Sequence, residues 1–162
     1  AGLLHHPDGL APEKRIETLS SENLEQVFRV NAFGPLLFAK HFWHLLAHGE
    51  RAVWANVSAR IGSIADNRAG GWYAYRASKA AQNMLTRTFA IEMARRAPEL
   101  ICLALHPGTV ATELSRPFRT RLSPEKVFSP EVAAEQLLRV IDRAEPDPRG
   151  QFRAWDGSEI PW

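Results

Sequence analysis

The chain has 162 residues, 45% hydrophobic and 23% charged, with 20 Lys and Arg against 18 Asp and Glu for a net charge of +2. That balance suits one soluble domain with a real core and excludes a disordered chain, and its basic residues are scattered without a run, so nucleic acid is not an expected partner. No apolar run reaches the length of a bilayer span and no secretory signal pattern opens the chain, so a cytoplasmic protein with no membrane partner is expected.

Residues 1 to about 20 show no sustained period and contain Pro7, Asp8-Gly9 and Pro12, which reads as loop. His5 and His6 stand without a Cys or carboxylate cluster, so no metal site is expected. Ser20 or Ser21 can cap the next helix, with Glu22 and Glu25 near its positive end. Leu24, Phe28, Asn31, Pro35, Phe38, Phe42 and Leu45 then recur at alternating four and three, which predicts one buried stripe. Asn31 is the polar member of that stripe. Gly34-Pro35 removes a donor from the helix ladder beside it, and the groups so released could be served by the Asn31 amide or by a water. The run Ala52-Val53-Trp54-Ala55, ending in Asn56 and Ser58, fits a buried parallel strand with its C-terminal end at a ligand site.

Gly70-Gly71 open a turn, and a helix is predicted to follow as far as about Arg96, where Pro98 forbids extension. On it Tyr75 and Lys79 are four apart and share a face, whereas Tyr73 points elsewhere. A nearby ammonium favours a phenolate and lowers the phenol's pKa, which would make Tyr75 a general acid or base. Leu100 to Leu105 is a second buried strand, with Cys102 as a packing residue that can form no internal disulfide. Pro107-Gly108 make a turn before Thr109 to Thr112. The segment from Glu113 to Phe128 carries Arg116, Pro117, Phe118, Arg119 and Arg121, a basic loop on its face value. Ser129-Pro130 start a helix with Val132, Ala133, Gln136, Leu137 and Val140 inward, and a last strand is expected near Phe152, Trp155 and Trp162. No Gly-x-Gly-x-x-Gly or P-loop pattern occurs.

Taken together, these motifs resemble the short-chain dehydrogenase/reductase family over nearly the whole chain. Ala1-Gly2 is similar to the end of its Asn-Asn-Ala-Gly motif, Val30-Asn31-Ala32-Phe33-Gly34-Pro35 to its asparagine helix, Asn56-Val57-Ser58 to its serine strand, Tyr75-x-x-x-Lys79 to its signature, and His106-Pro107-Gly108-Thr109-Val110-Ala111-Thr112 to its nicotinamide-covering loop. Ser58-Ala59-Arg60-Ile61-Gly62-Ser63-Ile64 and the closing Asp156 to Trp162 are most similar to its C-factor branch. The resemblance implies an α/β fold with a Rossmann-like, doubly wound, mainly parallel sheet, and an oxidoreductase moving hydride between NADP or NAD and a small carbonyl or alcohol. It implies Tyr75, Lys79, Ser58 and Asn31 as catalytic. Tyr75 exchanges the proton, Lys79 lowers its pKa and binds ribose, Ser58 holds the substrate oxygen, and Asn31 carries a relay water. It further implies Ala1, Gly2, Tyr75, Lys79, Pro107, Gly108, Thr109, Val110 and Thr112 as cofactor contacts, the segment after Glu113 as a substrate cover, and a homodimer or homotetramer. The family's second serine falls on Ala59, which leaves Ser58, then Ser63, as the available hydroxyl. Residues 1 to 162 are expected to be the C-terminal portion of one longer domain, with the Gly-rich turn upstream. A signalling protein that binds dinucleotide with little turnover, and a scaffold that binds none, are the rival expectations.

Overall fold

The computed structural model describes residues 2–119 and 122–162. In chain order its main elements are α1 (Ser21–Phe28), α2 (Gly34–Phe42), β1 (Ala52–Val57), α3 (Tyr73–Arg96), β2 (Leu100–His106), β3 (Thr109–Val110), α4 (Arg116–Arg119), β4 (Val127–Phe128), α5 (Pro130–Asp142) and β5 (Gln151–Ala154). Aliphatic runs without polar alternation belong in strands covered on both faces, and this is how β2 is used. It is the central strand of a wholly parallel sheet ordered β1-β2-β5, with Ala52 opposite Leu100, Val57 opposite Leu105, and His106 opposite Ala154. On one face Cys102 packs with Phe89, Ala90 and Met93 of α3; on the other Ile101, Leu103 and Leu105 meet Leu137, Val140 and Ile141 of α5. Helices therefore cover both faces of a parallel sheet, a Rossmann-like α/β arrangement. β3 and β4 pair separately beyond the end of β2.

Between α1 and α2 the helix does not keep its phase. Residues Arg29–Phe33 form a π-helical turn in which the Gly34 N–H reaches back to the Arg29 carbonyl. Pro35 has no N–H to offer the carbonyl of Asn31, so the wider turn forms where the ladder is already broken. One extra residue per turn rotates everything downstream by about 100°. The stripe expected at Leu24, Phe28, Asn31, Pro35, Phe38, Phe42 and Leu45 thus holds as far as Asn31 and then fails. Ala32 and Ala39 are buried instead, while Phe38 is 63% exposed and Phe42 and Leu45 are also exposed. In α5 the expected inner face is likewise trimmed, since Val132 lies on the exposed side. Among the described residues no helix is long and apolar enough to cross a membrane.

α3 organises the site because it lays a polar ridge against β1. Ser78, Lys79, Gln82, Asn83 and Thr86 are all buried on it. Such groups have to be hydrogen-bonded, and the side chains of β1 and of the residue after it supply partners: Asn56 Nδ2 donates to Thr86 Oγ1 at 2.9 Å and Ser58 Oγ to Asn83 Oδ1 at 2.6 Å. The turn at 60–62 comes so near that a Cβ on Gly62 would stand 2.8 Å from both Cβ and the carbonyl carbon of Lys79. Gly62→Ala is expected to push this turn off α3 and cost about 1–3 kcal/mol of stability, read as a lower urea midpoint at unchanged slope.

Candidate active site

Tyr75 and Lys79 do share one flank of α3, at the C-terminal end of β1. Tyr75 is 8% exposed, and its hydroxyl has no hydrogen-bond partner among the described residues. The Lys79 ammonium lies 5.9 Å from the centre of the Tyr75 ring. It donates to the Val57 carbonyl at 2.9 Å and to Gln82 Oε1 at 3.0 Å, which leaves one N–H uncommitted. The expected electrostatic effect is reversed. Burial pushes the Tyr75 phenol up to about 12 and draws the Lys79 ammonium down to about 8. Each group loses its water, and two of the ammonium's donors are directed to acceptors other than the phenol, so desolvation outweighs their attraction.

Asn31 sits opposite, in the π-helical turn. Its Oδ1 accepts from the Leu3 N–H at 2.7 Å; its Nδ2 donates to the Leu3 carbonyl at 2.9 Å and to Ser78 Oγ at 3.0 Å. Ser78 in turn donates to the Tyr75 carbonyl at 2.8 Å. The amide therefore ties the N-terminal segment to the Tyr75 turn and makes no direct bond to Lys79. Gly2 joins the group: a Cβ there would stand 3.6 Å from Asn31 Oδ1 and 3.9 Å from Lys79 Nζ. Ser58 is buried with its hydroxyl proton committed to Asn83 Oδ1, whereas Ser63 Oγ, also buried, accepts from the Asp66 N–H at 3.0 Å and keeps its own O–H to donate. Pro107, Gly108, Thr109 and Val110 follow β2, half-buried, and Thr112 is exposed. Gly108 has φ +73°, and a Cβ on it would meet the Phe128 ring at 2.7 Å, so no other residue fits that turn. Ala1 and Arg121 lie outside the described residues.

Several contributors carry no motif. Glu13 is buried and caps α3: its carbonyl accepts from the Trp72 N–H at 2.5 Å and its carboxylate from the Ala74 N–H at 3.2 Å. It holds Trp72 at φ 54°, the one non-glycine residue at positive φ among those described. Trp72 lies 6.4 Å from the Tyr75 ring and 4.6 Å from Phe118 of α4, so it stands between the phenol ring and the segment after Glu113. Trp54 of β1 packs on Phe89, well along α3. Gln82 and Asn83 were missed although their spacing from Lys79, three and four, marks the same buried flank. A separate cleft of about 270 Å³, lined by Ile61, Ile64, Tyr73 and Arg76, opens on a flank of α3 that includes neither Tyr75 nor Lys79.

A parallel sheet covered on both faces, with a tyrosine and a lysine four apart on a helix at its C-terminal edge, is the arrangement of a nucleotide-fold oxidoreductase. The short chain dehydrogenase family model matches residues 2–123, and the chain belongs to that family. It is 36% identical over 140 residues to C-signal of Myxococcus xanthus, covering 86% of this chain and 79% of that protein. It is 33% identical over 157 residues to 1-hydroxy-2-glutathionyl-2-methyl-3-butene dehydrogenase of Rhodococcus sp. (strain AD45), covering 97% of this chain and 66% of that one. Among solved structures it resembles the carbonyl reductase Sniffer of D. melanogaster (TM-score 0.83, 25% identity) and the NADPH-bound carbonyl reductase from chicken fatty liver (TM-score 0.83, 27% identity). All of this chain but only 64% and 63% of those chains are covered, so it spans less than two thirds of their length.

His106, at the end of β2, has a buried Nδ1 with no partner among the described residues. Burial first, then the charge of Arg60, opposed by that of Asp156, draws its pKa down to about 4. Between the ordinary value of 6.5 and about 4 the unfolded chain binds the extra proton and the folded chain does not, so this contribution to stability is lost as pH falls through that window. Urea titrations at pH 7 and 5 are expected to show a loss of up to about 2 kcal/mol from this residue, absent in His106→Gln.

Proposed function

We propose that residues 1–162 form the catalytic, C-terminal portion of a single NAD(P)-dependent oxidoreductase domain that interconverts a small-molecule carbonyl and its alcohol. The observation that carries this reading is Tyr75, whose hydroxyl has no partner among the described residues and whose ring has the Lys79 ammonium over it at the C-terminal edge of the sheet. The carbonyl reductase from chicken fatty liver and a short-chain enzyme from Burkholderia multivorans were solved with NADPH and NADP, which supports the same cofactor class here. The residues present fit one: bare backbone at Gly2 leaves room beside Lys79, which keeps one N–H for a ribose hydroxyl. The bound nicotinamide supplies or receives the hydride.

Within the chain, burial keeps the Tyr75 phenol protonated at neutral pH, the form that can donate a proton to a carbonyl oxygen in the reductive direction. Lys79 places positive charge where phenolate would develop. Asn31 fixes the Tyr75 turn through Ser78 and remains the candidate for the relay water. Pro107 to Val110 and Thr112 are the candidates for the carboxamide and phosphate contacts. Trp72 and Phe118 offer an apolar aromatic wall for the substrate's body. Ser58 can hold the substrate oxygen only after leaving Asn83. That engagement, with Ala59 beside it, favours a second reading: a C-signal-like protein in which dinucleotide binding outlasts turnover. A homodimer or homotetramer in the cytoplasm completes the proposal; the exposed Phe38, Phe42 and Leu45 face of α2 and beyond suits a subunit contact.

A panel of aldehydes and ketones with NADPH or NADH, followed by nicotinamide absorbance, separates the two readings. Tyr75→Phe is expected to lower kcat by about 100-fold or more while dinucleotide affinity, read from the quenching of tryptophan fluorescence, stays nearly intact. Unchanged turnover in that variant would refute the assignment; binding without turnover in the native protein would favour the second reading.

A further inference from the structure

We infer that Gln82 is a positioning residue for Lys79: a neutral acceptor that aims the ammonium without quenching its charge. The inference rests on the role proposed above for Lys79. Lys79 is 2% exposed and Gln82 is 3% exposed, so neither amine nor amide can turn to water for a partner. The Val57 carbonyl at 2.9 Å fixes one N–H of the ammonium. A single acceptor leaves the amine free to swing about that bond. Gln82 Oε1, at 3.0 Å, fixes a second, and in a tetrahedral group two fixed donors set the direction of the third.

Gln82 is itself well anchored. One helical turn after Lys79 on α3, it shares the lysine's flank, and its main-chain carbonyl accepts from Thr86 Oγ1 at 2.8 Å. Thr86 in turn receives Asn56 Nδ2 from β1 at 2.9 Å. The chain of bonds thus runs from the strand through Thr86 to the backbone of Gln82, and from its side chain to the ammonium.

A neutral amide suits this position better than the carboxylate of the same shape. Glutamate would pair with the ammonium and cancel much of the field it directs at the phenol and at a nucleotide. Leucine would leave one buried N–H without an acceptor. Tyr75 is the titratable group facing Lys79 from α3; β1 carries none, and Arg60 in the neighbouring turn is paired with Asp66 at 3.1 Å.

NMR titration of the lysine side-chain carbons next to the amine, followed across pH on the folded chain and needing no reagent to reach the buried group, gives the apparent pKa of each lysine, with Lys14, Lys40 and Lys126 as internal references. In Gln82→Leu the Lys79 value is expected to fall by about one unit, and in Gln82→Glu to rise by about one unit or more, while the references stay put. If Gln82→Leu does not fold, the direction in Gln82→Glu, which keeps the side chain's shape, decides. A Lys79 titration indifferent to residue 82 overturns the inference. Because this titration needs no turnover, the two proposals fail separately. Lys79 that follows residue 82 in a protein inert to every carbonyl sinks the oxidoreductase reading alone, and an active enzyme whose Lys79 ignores residue 82 sinks this one alone.

Discussion

An ammonium buried at the seam of α3 and β1 sets the terms for everything near it. Taking a charge out of water is tolerable only where acceptors replace the water, and that requirement explains features apolar packing would not produce. The Val57 carbonyl ends β1 and faces the helix rather than a neighbouring strand's donor. Gln82 stands on α3 where a larger apolar residue would have filled the space. The turn at 60–62 can close over the lysine backbone only because Gly62 has no side chain. The polar ridge from Ser78 to Thr86 continues the same solution along the helix, with Asn56 and Ser58 as its complement.

Proximity and burial pull the Tyr75 proton in opposite directions, and here burial wins. An ammonium aimed at the phenol would favour phenolate, but two of its donors are on Val57 and Gln82, and it stands over the ring, 5.9 Å from the centre. Dehydration acts on both groups without regard to direction, which is why one rises to about 12 while the other falls to about 8. The pair is therefore a protonated acid beside a cation that releases its own proton far more readily than lysine in water.

Much of the fold was legible because it is written in runs. β1 and β2 are aliphatic stretches bounded by turn residues, α3 is a long stretch closed by Pro98, and the Tyr75 and Lys79 spacing fixed their shared face before any coordinates. What escaped is what depends on partners distant in sequence. Pro35 was recognised as a break in the ladder, yet its effect, a π-helical turn that moves burial from Phe38 to Ala39, is a matter of rotation that a regular period conceals. Ser58 was expected to face a substrate, but a hydroxyl two positions after Asn56 points to the same side of the chain, toward α3, where Asn83 takes it. The direction of the Tyr75 shift could not be read from a four-residue interval, since it depends on how completely the pair is dried.

The segment before α1 illustrates the same limit and shows how the site is held together. It has no hydrophobic period, yet three elements grip it: Asn31 clamps Leu3 through both amide atoms, Glu13 caps α3 beside Trp72, and His5 donates toward the carbonyls of Glu113 and Leu114 at 3.2 and 3.1 Å. A loop satisfied in this way needs little core of its own, because its backbone donors and acceptors are the ones the helices lack. Gly2 borders the ammonium, and three residues further on His5 reaches the segment that carries Phe118 against Trp72. Any movement of the Phe118 segment away from Trp72 must strain or break the His5 contacts, which links that segment to the stretch of backbone that Asn31 fixes beside Lys79.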